Sequence, residues 1–418
     1  MKKKLFAALA AVIISACIGC KAEIPPYLIV DGTTVVGHTD KLPAKLVIPN
    51  SITEIGEWAF ANCKSLAKLT IGNGVETIGA VAFAGCESLT SVVIPDSVTE
   101  IGRSAFANCK SLAKLTIGNG VETIGDWAFD GCKSLASVVI PDSVTTIGWQ
   151  AFNGCFNLAE VTYNGTLAQW CQIDNDEHLV GKAKIIKLSD VENLKALTTL
   201  RIPDSVTEIG WAAFYRCESL AKLTIGNGVE TIGESAFRYC ESLTSVVIPD
   251  SVEVIGESAF DSCRSLTSVV IPDSVKVIDE FSFYGCHNLA EVTYNGTLAQ
   301  WCQMDNDDNL LSNAKIIKLS DVENLKALTT LRIPDSVTEI GADAFHSCES
   351  LTSVVIPDSV TEIGTLAFRD CNNLNAVRYT GTMAQWGKIK IEFFLGFGVG
   401  AFDDMTTVRC TDGDITVE

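Results

Sequence analysis

The sequence predicts an α/β solenoid, in which one short structural unit is repeated and stacked along the chain. Cysteine recurs every 23 residues through most of the 418-residue chain, and phenylalanine stands three positions before each of these cysteines. Each unit also contains a short stretch in which apolar and polar residues alternate, as in a half-buried strand. A unit of this length cannot bury its own apolar side chains, so neighbouring units must stack. We therefore expect one elongated stack rather than the two or three globular domains that the length alone suggests.

The N-terminus predicts export. Residues 1–16 begin with three lysines and continue with an apolar stretch that is too short to span a bilayer, which is the pattern of a signal peptide. The end of this stretch, Ile14-Ser15-Ala16-Cys17, resembles the lipobox of bacterial lipoproteins, which makes Cys17 the expected lipid-attachment residue. Cys20 is the alternative attachment residue, and an ordinary cleaved signal is the alternative to lipidation. We expect an exported protein that a lipid anchor holds at the cell envelope or cell surface.

Caps are expected at both ends of the stack. Residues 17–42 are predicted to contain the anchor region and a β-hairpin cap, because Asp31-Gly32 separates two apolar stretches and is typical of a tight hairpin turn. The hairpin would cover the exposed edge of the first unit. We place the solenoid at residues 43–404 and a C-terminal cap at residues 405–418.

The unit at residues 89–109 shows how each repeat is expected to fold. It begins with a short strand, whose Val92 and Ile94 face the same side. Pro-Asp-Ser, or Gly-Asn-Gly in other units, then ends the strand with turn residues. A return stretch with further inward apolar residues follows, and Ala105-Phe106 fits a short helical or 3-10 turn on the convex side. Cys109 closes the unit, which we call a rung, and stacked rungs would form a parallel sheet on the concave side.

These motifs resemble a known repeat family. The L-x-x-L-x-I pattern with a 23-residue period is similar to that of leucine-rich repeats. The A-F-x-x-C signature and the I-P-D-S-V-T-E-I-G stretch resemble the BspA-like leucine-rich repeats of bacterial surface proteins, over residues 43–418. The resemblance implies a leucine-rich repeat fold and roles such as adhesion to host matrix proteins or to other cells. The repeat itself specifies architecture better than activity.

Two segments interrupt the period. Residues 163–198 and 294–329 share the stretch Tyr-Asn-Gly-Thr-Leu-Ala-Gln-Trp-Cys-Gln, and a degenerate third copy begins at Tyr379. We interpret the first two as modified rungs that derive from a terminal module. Their tryptophans, Trp170 and Trp301, could form a carbohydrate platform, but packing against the next rung is the favoured interpretation.

The cysteines are predicted to be structural. Eleven of the 16 occupy one repeated position, which predicts a stack of buried free thiols, with disulfides between adjacent rungs as the alternative. Cys171 and Cys302 share another position, which is Gly387 in the third copy, and that replacement argues against a catalytic role.

The candidate binding site is the concave face, formed by the strand positions between the apolar ones. These residues are small, β-branched and mostly neutral, which suits a broad contact area. They include no paired carboxylates and no histidine–carboxylate couple. The alternative is that they merely satisfy strand preference. The predicted residues are Lys68, Thr70, Ser91, Val93, Lys114, Thr116, Ser137, Val139, Lys222, Thr224, Ser245, Val247, Ser268, Val270, Ser353 and Val355.

Charge and composition exclude several classes of function. With 31 basic and 51 acidic residues, the formal net charge is −20, which argues against a nucleic-acid partner and against electrostatic docking on anionic lipid. Membrane contact is therefore expected only through the lipid anchor. Four widely separated histidines predict neither a metal site nor a catalytic cluster. The stretch from Asp305 to Asn309 begins like a calcium loop but lacks the glycine and glutamate that complete one. We expect no metal and no cofactor.

Together these observations predict a monomeric, non-enzymatic cell-surface protein that mediates protein–protein interaction, with adhesion to host matrix proteins or to other cells as its role. The alternative is a structural, envelope-organising protein without a host ligand. An enzyme is disfavoured because the sequence shows no catalytic constellation.

Overall fold

A computed structural model describes residues 24–40, 42–173, 177–304, 310, 313–391 and 406–417. Within them the chain forms a solenoid of parallel strands with a 23-residue spacing. Each regular rung has three sides. In the rung that begins at Leu89 they are a strand at Ser91–Val93, a two-residue strand at Glu100–Ile101, and a run of turns at 102–112. We call the three sides sheet 1, sheet 2 and the turn ribbon.

Sheet 1 stacks equivalent residues of successive rungs directly on one another. Leu46 pairs with Leu69 and Val138 with Val161, a shift of one period in each case. Successive side chains point alternately into the core and outwards, so the buried residues of every strand share one face. Its strands are Lys45–Ile48, Lys68–Ile71, Ser91–Val93, Lys114–Thr116, Ser137–Ile140, Glu160–Tyr163, Ile185–Lys187, Thr199–Arg201, Lys222–Thr224, Ser245–Val247, Ser268–Ile271, Glu291–Tyr294, Ile316–Lys318, Thr330–Arg332, Ser353–Ile356, Ala376–Tyr379, Thr406–Cys410 and Gly413–Val417.

Sheet 2 forms where the sequence predicted only a return path. In the regular rungs its strands are two residues long, and each buries one apolar residue, as Ile78 and Ile101 do. Parallel pairing from rung to rung joins these short segments into a ladder within each block of regular rungs, and the modified rungs interrupt it. The strands are Leu28–Asp31, Thr34–His38, Glu54–Ile55, Thr77–Ile78, Glu100–Ile101, Thr123–Ile124, Thr146–Ile147, Glu208–Ile209, Thr231–Ile232, Val254–Ile255, Val277–Ile278, Glu339–Ile340, Glu362–Ile363 and Lys390–Ile391.

The turn ribbon differs from the predicted helical or 3-10 turns. Ser104 and Asn108 have φ of 56° and 59°, and equivalent positions of the other regular rungs are also left-handed. Each such residue breaks the right-handed series that a helix needs. The alternate backbone N–H groups are thereby freed to donate to the next rung, as Phe106 N–H does to the Ala128 carbonyl at 2.8 Å. The fold is therefore a parallel-strand β-solenoid rather than an α/β one.

Helices occur in the described residues only outside the regular rungs. They are α1 Leu167–Cys171, α2 Glu177–Lys182, α3 Leu298–Cys302 and α4 Met383–Trp386, with 3-10 turns at Leu194–Ala196 and Leu325–Ala327.

Phenylalanine and cysteine form two columns through the core. Neighbouring phenylalanine rings stack with centroids 5.1 to 5.5 Å apart, and His38 continues the column beyond Phe60 at 5.8 Å. The rung cysteines are free and buried, which confirms the prediction of a buried thiol stack. Where a regular rung precedes, the Sγ lies 3.1 to 3.4 Å from the phenylalanine carbonyl oxygen of that rung. Burial raises the pKa of Cys63 to about 11 and that of Cys171 to about 12.

The two ends of the chain cover different sheets. The predicted N-terminal hairpin is present, with Gly32 at φ 62° in its turn, and its second strand pairs with Glu54–Ile55 at the edge of sheet 2. At the other end, Thr406–Cys410 pairs with Ala376–Tyr379, and the antiparallel strand Gly413–Val417 covers the edge of sheet 1.

The modified rungs omit the turn ribbon. After Tyr163 the chain enters α1, whose N-terminus is held by a capping box between Thr166 and Gln169. It returns through the strand Ile185–Lys187 and then passes directly into the next block of regular rungs. Asn193 closes sheet 1 at this point, because its Oδ1 accepts the Ile186 N–H at 3.3 Å.

Side chains supply the hydrogen bonds of the missing ribbon. In regular rungs the N–H groups of Phe60 and Asn62 donate to the carbonyls of Ala82 and Ala84. At the first junction the equivalent carbonyls, those of Ala213 and Tyr215, accept from other donors. They are Trp170 Nε1, at 2.8 Å from the Ala213 oxygen, and Lys195 Nζ.

The second junction repeats this arrangement with Trp301 and Lys326, which donate to Ala344 and His346 at 2.8 and 2.9 Å. Trp170 and Trp301 are fully buried, so the prediction that these tryptophans pack against the next rung is confirmed.

All three copies of the tyrosine–tryptophan stretch share one further contact. The backbone N–H of the first helical residue donates to an aspartate that lies 23 or 29 residues later, at 2.7 to 2.8 Å. The acceptors are Asp190, Asp321 and Asp412. This agreement between internal and terminal copies supports the interpretation that the modified rungs derive from a terminal module.

We expect Trp170→Phe to destabilise the first junction by about 2–5 kcal/mol, because the buried Ala213 carbonyl loses its donor and the smaller ring leaves a cavity. Faster hydrogen exchange of the amides at 208–217 would report this loss. Trp301→Phe should act equally on the second junction. Trp149→Phe, at a tryptophan with 46% of its surface exposed, is the control and should change stability by less than about 0.5 kcal/mol. Unchanged exchange in Trp170→Phe would contradict the bridging role.

We expect N-ethylmaleimide to modify Cys410 in the native chain at neutral pH and to leave the rung cysteines unmodified. Burial blocks access to these thiols and raises the pKa of those such as Cys63 and Cys240, so few thiolates form. Unfolding without reductant should make all of them reactive. Mass spectrometry of digested protein counts the modified residues, and Cys410→Ser should abolish the native reaction within residues 24–417. Rung cysteines that react only after reduction would instead indicate disulfides.

Candidate binding surface

The structure places all sixteen predicted binding residues on the outer face of sheet 1. None of them is buried, because each occupies a strand position that alternates with a core residue. They form two columns of side chains that run along the stack, with a spacing of about 4.8 Å from rung to rung. Val93 and Val247 are 60% and 62% exposed, so apolar surface is part of this face.

Most outward positions of this face are neutral, as the sequence predicted, but the charged ones among them are mainly positive. On the parallel strands, ten outward positions carry lysine or arginine and two carry glutamate. The ten are Lys45, Lys68, Lys114, Lys187, Arg201, Lys222, Lys318, Arg332, Arg378 and Arg409.

Much of this positive charge is unopposed. The two glutamates, Glu160 and Glu291, each pair at 2.6 Å with the lysine of the following strand, which is Lys187 or Lys318. Arg201 and Arg332 lie 3.7 and 3.4 Å from aspartates that follow their strands. The other six cations form no ion pair with another residue in the described part of the chain. One acid, Asp414, lies opposite Arg409 on the last strand.

Sheet 2 carries the opposite charge. Its outward positions and the residues just before its strands include nine glutamates and two lysines. The glutamates are Glu54, Glu76, Glu100, Glu122, Glu208, Glu230, Glu253, Glu339 and Glu362, and the lysines are Lys276 and Lys390. Positive charge on sheet 1 is thus confined to its strand positions, since aspartates of the Pro-Asp turns follow seven of its strands, at Asp96, Asp142, Asp204, Asp250, Asp273, Asp335 and Asp358.

A groove crosses the outer face of sheet 1 in the first rungs. It has a volume of about 670 Å³ and an apolar floor. Val93 and Val139 stand between rungs that carry threonine at the same position. Exposed amides border the groove at the strand ends, at Asn73 and Asn119. No single motif predicts this groove, because its lining comes from several adjacent rungs.

A second surface that the sequence analysis missed lies on the turn ribbon. The ring centroids of Trp127 and Trp149 lie 4.9 Å apart, and the Arg103 guanidinium lies 4.5 Å from the centroid of the Trp127 ring. Trp127 Nε1 donates to Gln150 Oε1 at 2.9 Å. These groups are engaged with one another, so we give this surface less weight than the outer face of sheet 1.

Two histidine contacts test the enzyme alternative. His346 is 3% exposed, and its Nδ1 and Nε2 lie 2.9 and 3.2 Å from carboxylate oxygens of Asp343 and Asp370. Both ring nitrogens are engaged, which leaves neither to take a proton from a substrate. The Sγ of Cys63 lies 3.1 Å from His38 Nε2, but burial raises the thiol pKa to about 11, the opposite of nucleophile activation. Neither contact therefore resembles a tuned catalytic group.

The remaining sequence expectations concern metal binding and the membrane. The described residues contain no group of histidines, cysteines and carboxylates that could hold a metal ion. None of their helices is long and apolar enough to cross a bilayer. The candidate lipidation residues Cys17 and Cys20, and the calcium-like stretch from Asp305 to Asn309, lie outside the described residues.

Solved structures of bacterial leucine-rich repeat proteins resemble this chain. A leucine-rich repeat protein from Bacteroides ovatus is 26% identical, with 94% of this chain and 100% of that chain covered and a TM-score of 0.47. A leucine rich cell surface protein from Faecalibacterium prausnitzii is 24% identical, with 88% and 98% covered and a TM-score of 0.36. The pneumococcal vaccine antigen PcpA is 19% identical, with 87% and 84% covered and a TM-score of 0.46.

No curated protein matches the chain at a significant level. The family profile described as BspA type leucine rich repeat region, six copies, matches residues 40–170, 184–307 and 300–394. These matches span most of the chain and coincide with the rungs described above. The protein therefore belongs to the BspA type leucine-rich repeat family.

Proposed function

We propose that this chain is a non-enzymatic cell-surface protein that binds a protein ligand through the outer face of sheet 1, which we take to be the concave face of the solenoid. Adhesion to host matrix proteins or to other cells is the proposed role. The observation that carries the proposal is the face itself, where two side chains per rung project outwards along the stack. Such a surface offers a broad contact area in which exposed valines and cations alternate, as at Val93 and Lys114.

Export and lipid anchoring complete the proposal. The basic start, the short apolar stretch and Cys17 support an envelope location with the solenoid outside the bilayer. The alternative function is a structural, envelope-organising protein without a host ligand. Membership of the repeat family is compatible with both, so adhesion and exposure at the cell surface must be tested directly.

We expect a cell that makes the full chain to incorporate labelled palmitate into it, and Cys17→Ser to abolish that incorporation. The thiol of Cys17 is the expected attachment atom, so a serine at this position removes the acceptor. Cys20→Ser is the matched control and should keep the label. Loss of label only in Cys20→Ser would move the attachment site to Cys20. Absence of label in the unsubstituted chain would contradict lipidation.

We expect cells that display the full chain to bind an immobilised panel of matrix proteins, and Thr116→Trp to weaken that binding by about tenfold or more, since bulk at the centre of the face disturbs complementary packing. Thr123→Trp places the same bulk on sheet 2 and should leave binding unchanged. Protease treatment of intact cells checks that both variants are exposed at the surface. Full-length chain that is protected from protease and binds nothing would favour the envelope-organising alternative.

A further inference from the structure

We propose that the first five rungs of sheet 1 bind an acidic polypeptide segment, whose carboxylates meet the lysine column and whose apolar side chains enter the valine-lined groove. This inference rests on the proposed function, because it specifies the chemistry of the ligand that the outer face of sheet 1 takes.

The lysine column supplies the first argument. Lys45 and Lys68 are paired in register on adjacent strands, both exposed and on the same face. Lys114 stands in the same column two rungs further along. Like charges directly opposite one another destabilise a sheet. None of the three forms an ion pair within the described residues, so an external anion is the partner that would balance them.

Spacing makes the column suitable for an extended acidic segment. Rungs repeat at about 4.8 Å, so the ammonium groups of Lys68 and Lys114 stand on strands about 10 Å apart. In a polyproline II segment, carboxylates at every third residue lie on one face and are separated by about 9 Å, at 3.1 Å per residue. A segment that runs along the stack can therefore place carboxylates beside successive lysines.

The groove supplies the second argument and decides the class of partner. Its floor is formed by apolar side chains, among them Leu69, Val93 and Val139, next to the column that holds Lys68. Filling it requires apolar side chains, which a polypeptide carries and an anionic polysaccharide lacks. Burying apolar surface then adds to the electrostatic attraction.

Most polar groups of the groove lie at the opposite end of the strands from the lysines. They include the exposed side chains of Asn73, Asn119 and Asn164, which can bond a peptide backbone, and one carboxylate, Asp96. Asp96 already accepts the Asn119 backbone N–H at 2.7 Å. The lysine column thus stands beside one end of the groove, and amides with one carboxylate line the other end, which gives a bound acidic segment a preferred orientation.

The test titrates the purified full chain with three fluorescent peptides of equal length. One contains glutamate and leucine, one glutamate and serine, and one lysine and leucine. We expect the glutamate–leucine peptide to bind most tightly, with an affinity that falls at least tenfold between 50 and 300 mM salt, because the lysines are exposed to screening. The glutamate–serine peptide should bind at least tenfold more weakly, and the lysine–leucine peptide should not bind.

Variants then assign binding to the two features. Lys45→Glu together with Lys68→Glu should lower the affinity for the glutamate–leucine peptide at least tenfold and reduce the salt dependence of its binding. Val93→Ser together with Val139→Ser should weaken binding of that peptide, so that its affinity comes close to that of the glutamate–serine peptide. Lys276→Glu, an exposed charge reversal on sheet 2, is the matched control and should change neither the affinity for the glutamate–leucine peptide nor its salt dependence. Circular dichroism of each variant confirms that the fold is kept.

Four outcomes would overturn the inference. Equal binding of all three peptides would contradict the role of charge. Unchanged binding in both double variants would show that the peptide binds elsewhere. Heparin that binds more tightly than the glutamate–leucine peptide, and loses affinity in the lysine variant, would make an anionic polysaccharide the partner. Matrix protein that binds displayed wild-type chain and both double variants equally would overturn this inference while leaving the proposed function intact. Absence of matrix binding would instead contradict the proposed function.

Discussion

Every level of this structure depends on hydrogen bonding between each rung and the same backbone one period later. The 23-residue register repeats the contacts of sheet 1, sheet 2 and the turn ribbon, so a side chain meets its own counterpart above and below. Phenylalanine therefore stacks on phenylalanine and cysteine on cysteine, and the core needs complementarity along one axis only. The same rule stacks surface residues, and it concentrates lysine on one face and glutamate on another instead of mixing them.

The junctions show how the solenoid tolerates an interruption of this register. A rung without a turn ribbon would leave carbonyl groups of the next block without donors, and buried carbonyls of that kind are costly. Trp170 and Lys195 reach across from a helix and a 3-10 turn to fill two of these positions. Burial lowers the pKa of the Lys195 ammonium, which shows the cost of bringing a cation into this site. The bond to a backbone carbonyl offsets part of that cost.

Sequence patterns predicted the features that repeat and missed those that depend on geometry between rungs. The period, the inward residues, the hairpin around Gly32 and the packing of Trp170 all followed from residue type and spacing. The turn ribbon did not, because left-handed φ values at residues such as Val81 and Ser104 have no signature in composition. The excess of positive charge at the outward positions of sheet 1 was also missed. Lys187 and Lys318 lie in the modified rungs, outside the period, and the net charge of the chain has the opposite sign.

The junctions also bear on how long a molecule of this design can be. Each tryptophan donates to an alanine 43 residues later, at both junctions, and the two junctions lie 131 residues apart. Removing the 131 residues between equivalent positions of the two junctions would join a block of rungs to a junction that has the same donors and acceptors as before. The solenoid can therefore be shortened or lengthened by whole blocks, so its length changes in discrete steps while both ends and every junction stay chemically the same.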